Sequence, residues 1–352
     1  MAYHLPIAAT GRIGVVRSLP GLGDLLCSVP ALRALRAAFP AAHITLLGLP
    51  GTQWFAERFH TLVDDWLAFP GFPGIPEGWR GAQPVIEFLA RMQANPFDLA
   101  IQMHGNGSYM NAFTQLLRAQ QVAGFYVPGQ FCPDPDTFLP YPEHESEIGR
   151  MLRLMEFLGV PSQGNATAFP LTPADQIRYR QLAARYGLQR SAFVCLHAGA
   201  NDESRRWSVE GFAQVADQLA IAGYRIVLTG TAAEQPLVQS VMQAMQTPAL
   251  NLAGQTDLGT LAVLLRQSAL VICNDTGVSH LAAALKAPSV VIFSNSEVQR
   301  WAPLNRDRHR VVDRRELGIA TAAAVLSQAF DLLGQMPKAE ATVMSVGVIH
   351  AV

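Results

Sequence analysis

The feature that most constrains this chain is a change of hydrophobic pattern between residues 270 and 285. Leu270–Cys273 is an apolar run with the length of a buried strand, and the polar elbow Asn274–His280 follows it directly. Leu281 and Leu285 then recur at the spacing of one helix face. The pattern predicts a strand whose carboxyl end leads through a tight turn into a helix. Repeated units of this kind are typical of α/β folds with parallel sheets.

The polar elbow has the chemistry of an anion-binding site. Open α/β sheets bind ligands where strands end and helices begin. The free N–H groups and the positive dipole end of the helix attract negative charge there. Asp275, Thr276, Ser279 and His280 add polar side chains at the same point. The alternative is structural: Asp275 would cap the helix, and Ser279 and His280 would be ordinary helix-surface residues.

The same strand–turn–helix pattern recurs in both halves of the chain. In the first half, Ile13–Val16 and Ile44–Leu47 have the pattern of strands on either side of an amphipathic helix. The strands predicted in the second half are Phe193–His197, Arg225–Thr229, Ala249–Leu252, Leu270–Asn274 and Val290–Phe293.

Residues 159–173 are polar and contain proline, and they are predicted to link the two halves. The sequence therefore predicts two doubly wound, Rossmann-like domains facing a central cleft. The N-terminal domain is predicted to span residues 1–165 and the C-terminal domain residues 166–335, followed by a tail at 336–352. A final helix near residues 320–334 is expected to cross back to the first domain.

Composition excludes several classes of function. The formal net charge is −1 and no block of like charge occurs, so a nucleic-acid-binding surface is not expected. The four cysteines are scattered without zinc spacing, and the strand-end acids form no pair suited to a divalent ion, so no metal site is predicted. Neither a transmembrane run nor a secretory signal is recognised, and a cytoplasmic protein is expected.

Gly21-Leu22-Gly23-Asp24 forms a glycine-rich turn after the first strand. Glycine lets the backbone approach a ligand closely, so Gly23 is a candidate for acceptor contact. The Asp24 carboxylate would emerge at the start of a helix, where it could act as a general base toward a hydroxyl. The alternative is that Asp24 only complements the helix start.

Two turns in the second half carry candidate ligand-binding residues. Arg205 and Arg206 could neutralise a diphosphate, or they could form a solvated basic turn. Thr229 and Gly230 end the next predicted strand. Glu234 follows them and could accept hydrogen bonds from ribose hydroxyls, or it could simply favour the start of its own helix.

A third turn, in the first half, follows the predicted strand Phe97–Met103. Its side chains His104, Asn106 and Tyr109 are acceptor-side candidates if this strand end faces the cleft. The alternative is that these three are ordinary turn residues.

Four of these motifs, taken in order, resemble those of glycosyltransferase family 9, the ADP-heptose:lipopolysaccharide heptosyltransferase-like enzymes. The resemblance covers most of residues 11–335, and Arg205 stands where the family usually has a lysine. The segments that carry it are Gly21–Asp24 with Pro30-Ala31-Leu32 (G-D…P-A-L), Ser204–Trp207 (K-R-W), Gly230–Glu234 (G-x-x-x-E) and Asn274–Leu285 (D-[ST]-G-x-x-H).

The resemblance implies a GT-B fold and an inverting, metal-independent glycosyltransferase that needs no cofactor. The implied donor is a nucleotide-diphosphate sugar, with ADP-heptose expected, and the implied acceptor is a glycan or lipid-linked saccharide of the lipopolysaccharide type. Peripheral contact with the cytoplasmic face of the inner membrane is also expected. A non-hydrolysing nucleotide-sugar epimerase and a non-catalytic sugar-nucleotide binding module are the alternatives.

Carried over to this sequence, the resemblance implies a role for each candidate residue. Asp24 would deprotonate the acceptor hydroxyl, beside Gly23. The implied donor contacts are Arg205 to the diphosphate, Glu234 to the ribose, Asp275 to the sugar, and Thr276, Gly277 and His280 around the diphosphate. Arg206, Thr229 and Gly230 stay donor-binding candidates from their chemistry and position.

Overall fold

The computed structural model describes residues 11–75, 77–314 and 321–334, which form two six-stranded parallel sheets. The first sheet contains β1 (Arg12–Val16), β2 (His43–Gly48), β3 (Asp65–Ala68), β4 (Leu99–Gln102), β5 (Gln121–Tyr126) and β6 (Phe138–Pro140). The second contains β7 (Phe193–His197), β8 (Arg225–Thr229), β9 (Ala249–Asn251), β10 (Leu270–Asn274), β11 (Ser289–Phe293) and β12 (His309–Asp313).

Helices cover the faces of these sheets. They are α1 (Leu22–Ala38), α2 (Gln53–Arg58), α3 (Ala82–Ala94), α4 (Met110–Leu116), α5 (Glu147–Phe157), α6 (Pro173–Tyr186), α7 (Val209–Ile221), α8 (Gln235–Ala244), α9 (Leu258–Gln267), α10 (Gly277–Ala284), α11 (Val298–Trp301) and α12 (Ala322–Gly334). We call the first sheet with α1–α5 the first domain and the second sheet with α6–α12 the second domain. None of the helices in the described ranges is both long and apolar enough to cross a bilayer.

The strand order is the same in both domains. It is β3-β2-β1-β4-β5-β6 in the first sheet and β12-β11-β10-β7-β8-β9 in the second, with parallel pairing throughout. The order reverses direction between β1 and β4, and again between β7 and β10. Ligands of doubly wound sheets bind at such switch points, outside the carboxyl ends of the strands. The fold thus places the turns after β1, β4, β7 and β10 where a ligand would bind.

The predicted two-domain α/β architecture is confirmed, and the long apolar strands were the easiest part to predict. The central strands β7, β10 and β11 are buried along their whole length, which requires continuous apolar runs. The sequence reading missed α2, α6, β6, α11 and β12, which are short or poor in apolar residues. The predicted domain boundary at residues 165 and 166 stays a prediction, and the predicted tail lies outside the described residues.

The prediction for the last helix was wrong about its packing. α12 does not cross to the first domain; it packs against α7 and the second sheet. Val325, Ala329 and Leu332 form its buried stripe, within the apolar core of the second domain. Helical periodicity indicates that one face is buried, but it carries no information about which sheet will cover that face.

The two domains meet where the N-termini of α1 and α10 pack together. A Cβ atom at Gly23 would lie 2.5 Å from Cδ2 of His280, and one at Gly277 would lie 2.8 Å from Cβ of Leu22. Side chains essentially never approach so closely, so these positions require glycine. The close approach brings two helix N-termini, one from each domain, to a single point.

A second junction is formed by Asp175 at the start of α6. Its buried carboxylate closes a capping box with Thr172 and accepts hydrogen bonds from Arg58 (2.6 Å) and Arg178 (2.7 Å). Burial by itself would raise the pKa of Asp175, but the hydrogen bonds from Arg58 and Thr172 outweigh it and lower the pKa to about 2. Because Arg58 belongs to α2, this contact ties the first domain to the second.

We expect Asp175→Asn to lower the free energy of unfolding at neutral pH by about 2–3 kcal/mol, the equivalent of its depressed pKa. The contribution should be complete above about pH 4, where the unfolded carboxyl is ionised, and should vanish as the pH falls through about 2. Urea unfolding over this range measures it. Asp307→Asn, in an exposed turn, is the control. A loss in the free energy of unfolding that does not change with pH would contradict the prediction.

Candidate functional site

A cavity of about 490 Å³ lies between the two domains, and the turns after β1, β7, β8 and β10 line it. It brings together residues that are far apart in the chain. The predicted site residues in its lining are Gly23, Asp24, Arg205, Gly230, Glu234, Asp275, Thr276, Gly277 and His280. Within the described ranges, no three His, Cys, Asp or Glu side chains converge in a way that could hold a metal ion.

Two predicted donor residues lie outside this lining. Thr229 is buried behind it, with Oγ1 3.1 Å from Nδ1 of His197, which does line the cavity. Arg206 donates hydrogen bonds to the Ala200 carbonyl and to the Glu203 carboxylate. Thr229 is therefore placed to orient a neighbour, and Arg206 is held by its own turn.

The predicted acceptor residues after β4 also lie outside the cavity. Burial lowers the pKa of His104 to about 4, so its imidazole is neutral. Asn106 accepts a hydrogen bond from the backbone of Ser108, as turn residues do. Tyr109 is 61% exposed and its ring lies against Gly74. An acceptor role for these residues stays a prediction.

Asp24 projects into the cavity from the first turn of α1. Its carboxylate is partly buried, and Oδ1 lies 3.8 Å from Nη2 of Arg17. Arg17 also donates from Nε and Nη2 to the main-chain carbonyl of Asp24 (3.2 and 2.8 Å). Burial raises the pKa of Asp24; Arg17 opposes this and Glu147 reinforces it. A carboxylate with a raised pKa is a stronger base than an exposed one.

Asp275 faces Asp24 from the second domain, in the elbow between β10 and α10. Its side chain is 2% exposed, and Nη1 of Arg205 lies 3.8 Å from Oδ2. Oδ2 is buried and has no hydrogen-bond partner among the described residues. Buried polar atoms are normally paired, so this oxygen is suited to a ligand hydroxyl.

The N-terminus of α10 is open to the cavity. Its N-cap residue is Thr276, whose side chain makes no capping hydrogen bond. The structure therefore excludes the alternative in which Asp275 caps this helix. Uncapped N–H groups at a helix N-terminus are anion donors.

Glu234 serves its own helix and the cavity at once. Oε2 accepts hydrogen bonds from the backbone N (2.7 Å) and Oγ1 (2.9 Å) of Thr231. The carboxylate also lies over Gly199, where a Cβ atom would approach Oε1 to 1.9 Å. The contacts with Thr231 support the structural alternative for Glu234, and its binding of ribose hydroxyls stays a prediction.

Sequence reasoning missed the residue that positions the Arg205 turn. Asn274, at the end of β10, accepts a hydrogen bond from the backbone N of Trp207 (2.9 Å) and donates one to the Ala198 carbonyl (2.7 Å). Its signal in the sequence was a polar residue ending a fully apolar strand. Asn274 therefore links the switch-point turns after β7 and β10.

Sequence reasoning also missed a buried ion cluster beneath Asp24. Glu147 is 1% exposed and lies within 3.1 Å of guanidinium nitrogens of Arg17, Arg150 and Arg300. Glu147 and Arg150 are three residues apart on a helix, a spacing usually seen in surface ion pairs. Nothing in the local sequence indicated that they are buried.

His280 is buried between the domains. Nδ1 lies 3.5 Å from Sγ of Cys27, and the ring packs edge-on against Trp301 and over Gly23. Burial lowers the pKa of His280; the carboxylates of Asp275 and Asp24 oppose this but do not outweigh it.

We expect His280 to stay neutral at about pH 6.5, where a free histidine is half protonated. Its imidazole should gain a proton only at lower pH, because burial disfavours the cation. Long-range ¹H–¹⁵N NMR of the histidine rings, assigned with His280→Gln, measures the titration. Protonation at or above the ordinary pKa would show that the neighbouring carboxylates dominate.

Comparisons with known proteins agree with this fold and show its family. A family model described as glycosyltransferase family 9 (heptosyltransferase) matches residues 85–320. Lipopolysaccharide heptosyltransferase 3 of Escherichia coli K12 is 24% identical over 290 residues, covering 80% of this chain and 82% of that protein. Lipooligosaccharide heptosyltransferase 2 of Haemophilus influenzae is 30% identical over 106 residues, and that match spans 29% of this chain and 31% of the relative.

A solved structure has the same architecture. The E. coli ADP-heptose lps heptosyltransferase II superimposes with a TM-score of 0.72 at 20% identity, covering 92% of this chain and 99% of that one. This similarity concerns the fold, and the GT-B architecture predicted from the sequence is confirmed. Because the family model matches more than half of the chain, this protein belongs to glycosyltransferase family 9 (heptosyltransferase) and is a glycosyltransferase.

Proposed function

We propose that the protein transfers a heptose from ADP-heptose to a hydroxyl of a lipopolysaccharide-type acceptor, with inversion and without a metal ion. One observation carries the proposal: a partly buried carboxylate, Asp24, faces Arg205, Asp275 and the open N-terminus of α10 across a single cavity. The donor and acceptor classes are those named for the heptosyltransferases to which the chain is similar.

The second domain would hold the donor. Arg205 and the N–H groups of Thr276 and Gly277 would neutralise the diphosphate, since a guanidinium and a helix N-terminus both favour phosphate oxygens. Oδ2 of Asp275, which has no hydrogen-bond partner among the described residues, would accept a hydrogen bond from a hydroxyl of the sugar. Glu234, at the neighbouring turn, would bind ribose hydroxyls.

The first domain would supply the base. Asp24 would accept the proton of the acceptor hydroxyl as its oxygen bonds to the anomeric carbon. The bond from that carbon to the diphosphate oxygen breaks on the opposite face, so the configuration inverts. The negative charge that develops on the leaving diphosphate would be stabilised by Arg205 and the α10 N-terminus. The cytoplasmic location and the contact with the inner membrane stay predictions.

Asp24→Asn should reduce the turnover number by roughly 10²–10⁴-fold, the usual contribution of a positioned general base. Affinity for ADP should be unchanged, because Asp24 does not belong to the proposed donor contacts. The assay follows heptose transfer from ADP-heptose to lipopolysaccharide lacking its heptose region, by mass spectrometry. Asp136→Asn, an exposed position of the first domain, is the matched control.

Four results would contradict parts of this proposal. Full activity of Asp24→Asn would remove Asp24 as the base. A product with the donor's anomeric configuration, determined by NMR, would exclude inversion, and loss of activity in EDTA would exclude metal independence. Conversion of ADP-heptose to its epimer without an acceptor would favour the epimerase alternative.

Arg205→Gln should weaken ADP binding by roughly 10- to 100-fold, the cost of a lost hydrogen bond to a charged group. Arg206→Gln is the matched control, because the Arg206 guanidinium is absent from the cavity lining and binds Glu203. Isothermal titration calorimetry with ADP measures both. Equal losses would show that both arginines bind the diphosphate, and no loss in either would exclude Arg205 from the donor site.

A further inference from the structure

Beneath the cavity, one buried carboxylate collects three arginines. Oε1 of Glu147 lies 3.0 Å from Nη2 of Arg17, while Oε2 lies 2.9 Å from Nη1 of Arg150 and 3.1 Å from Nε of Arg300. Glu147, Arg17 and Arg150 are almost completely inaccessible to solvent. Burial alone would raise the pKa of Glu147, but Arg17, Arg300 and Arg150 lower it, so the side chain remains a carboxylate. Charges this deeply buried are retained only when they are fully paired.

Arg17 connects this cluster to Asp24. Its Nε and Nη2 donate to the Asp24 carbonyl, and Nη1 donates to the Met103 carbonyl (2.6 Å). Nη2 also lies 3.8 Å from the Asp24 carboxylate. Arg17 follows β1 and Met103 follows β4, the two strands of the first switch point. Glu147 fixes the guanidinium that performs all of these contacts.

Arg300 connects the cluster to the second domain. It belongs to α11, stacks over the ring of Trp301 and donates to Glu147 from across the domain junction. The adjacent Gln299 donates to the His144 carbonyl of the first domain (2.5 Å). Trp301 in turn lines the cavity and contacts His280. Glu147 therefore binds arginines of both domains, and these arginines contact or adjoin residues that line the cavity.

We infer that Glu147 is a positioning residue for Asp24: it holds Asp24 through Arg17 and fixes the second domain against it through Arg300. The inference rests on the proposed function, in which Asp24 is the base. It adds to the proposed function that Asp24 needs support from the ion cluster to act as the base. The cluster must set both the place of Asp24 and the charge around it, through Arg17 and Arg150 of the first domain and Arg300 of the second.

Charged and titratable groups from several elements surround Asp24. The groups that shift its pKa are Arg17 after β1, Glu147 on α5, the titratable ring of His280 on α10 and Arg300 on α11; Asp275 and Arg205 face Asp24 across the cavity. Glu147 raises the pKa of Asp24 and Arg300 lowers it. Removing these two partners of one ion pair should therefore move the pKa of Asp24 in opposite directions. These shifts test the charge that the cluster sets around Asp24, and the turnover of the Glu147 variant tests the placement of Asp24.

The experiment measures the pKa of Asp24 directly, in the intact chain, by ¹³C NMR of labelled aspartate carboxyls. Asp24→Asn identifies the signal. Glu147→Gln should lower the pKa and Arg300→Gln should raise it. Arg310→Gln, which removes an arginine of similar exposure that pairs with Asp331 in the second domain, should leave it unchanged. Glu147→Gln should also reduce turnover of ADP-heptose by up to roughly 100-fold, as misplaced catalytic groups do, with ADP affinity retained.

Each result decides one question. Shifts of the same sign, or no shift in either variant, would overturn the inference. If Glu147→Gln does not fold, Arg300→Gln decides alone, and an unchanged or lowered pKa overturns it. Full activity of Asp24→Asn would instead overturn the proposed base and leave the NMR shifts as a separate test, so the two failures can be told apart.

Discussion

The close packing of α1 against α10 is the contact on which the site depends. Gly23 and Gly277 leave no room for a side chain, so the first turns of two helices from different domains touch. Each helix N-terminus carries a partial positive charge, and anions are stabilised there. The packing thus places Asp24 from one helix and the open N–H groups of the other at a single cavity. Either domain alone would hold only half of this arrangement.

The buried carboxylates at the domain junctions form two groups, which differ in how completely they are hydrogen-bonded. The scaffold carboxylates Asp175 and Glu147 are buried and bound by two or more donors, and their pKa values are lowered. Asp24 has a raised pKa, and Asp275 has a buried oxygen without a hydrogen-bond partner in the described chain. An incompletely paired buried group costs stability, and a ligand that pairs it recovers that cost. The incompletely paired carboxylates are those that face the cavity.

The sequence was most informative where local pattern and final environment agree. β10 and its elbow were predicted because a strand buried on both faces must be apolar, and because a polar turn interrupts it abruptly. α6 was missed because Asp175 and Tyr179 are its only buried residues in the described structure. β12 was missed because it is an edge strand in which polar residues flank only two valines, and β6 because it lies in a proline-rich segment.

The sequence by itself determined the repeated strand–turn–helix units, the family resemblance and the residues that end each strand. These are local properties, since period, turn chemistry and motif spacing are written within a few tens of residues. Tertiary structure alone decided which of those residues share the cavity, that α12 covers the second sheet, and that Glu147 is buried beneath Asp24. These outcomes depend on contacts between segments more than 100 residues apart, such as Arg17 with Glu147 and Cys27 with His280. Burial changes the charge state and the partners of a side chain, and no local pattern records it.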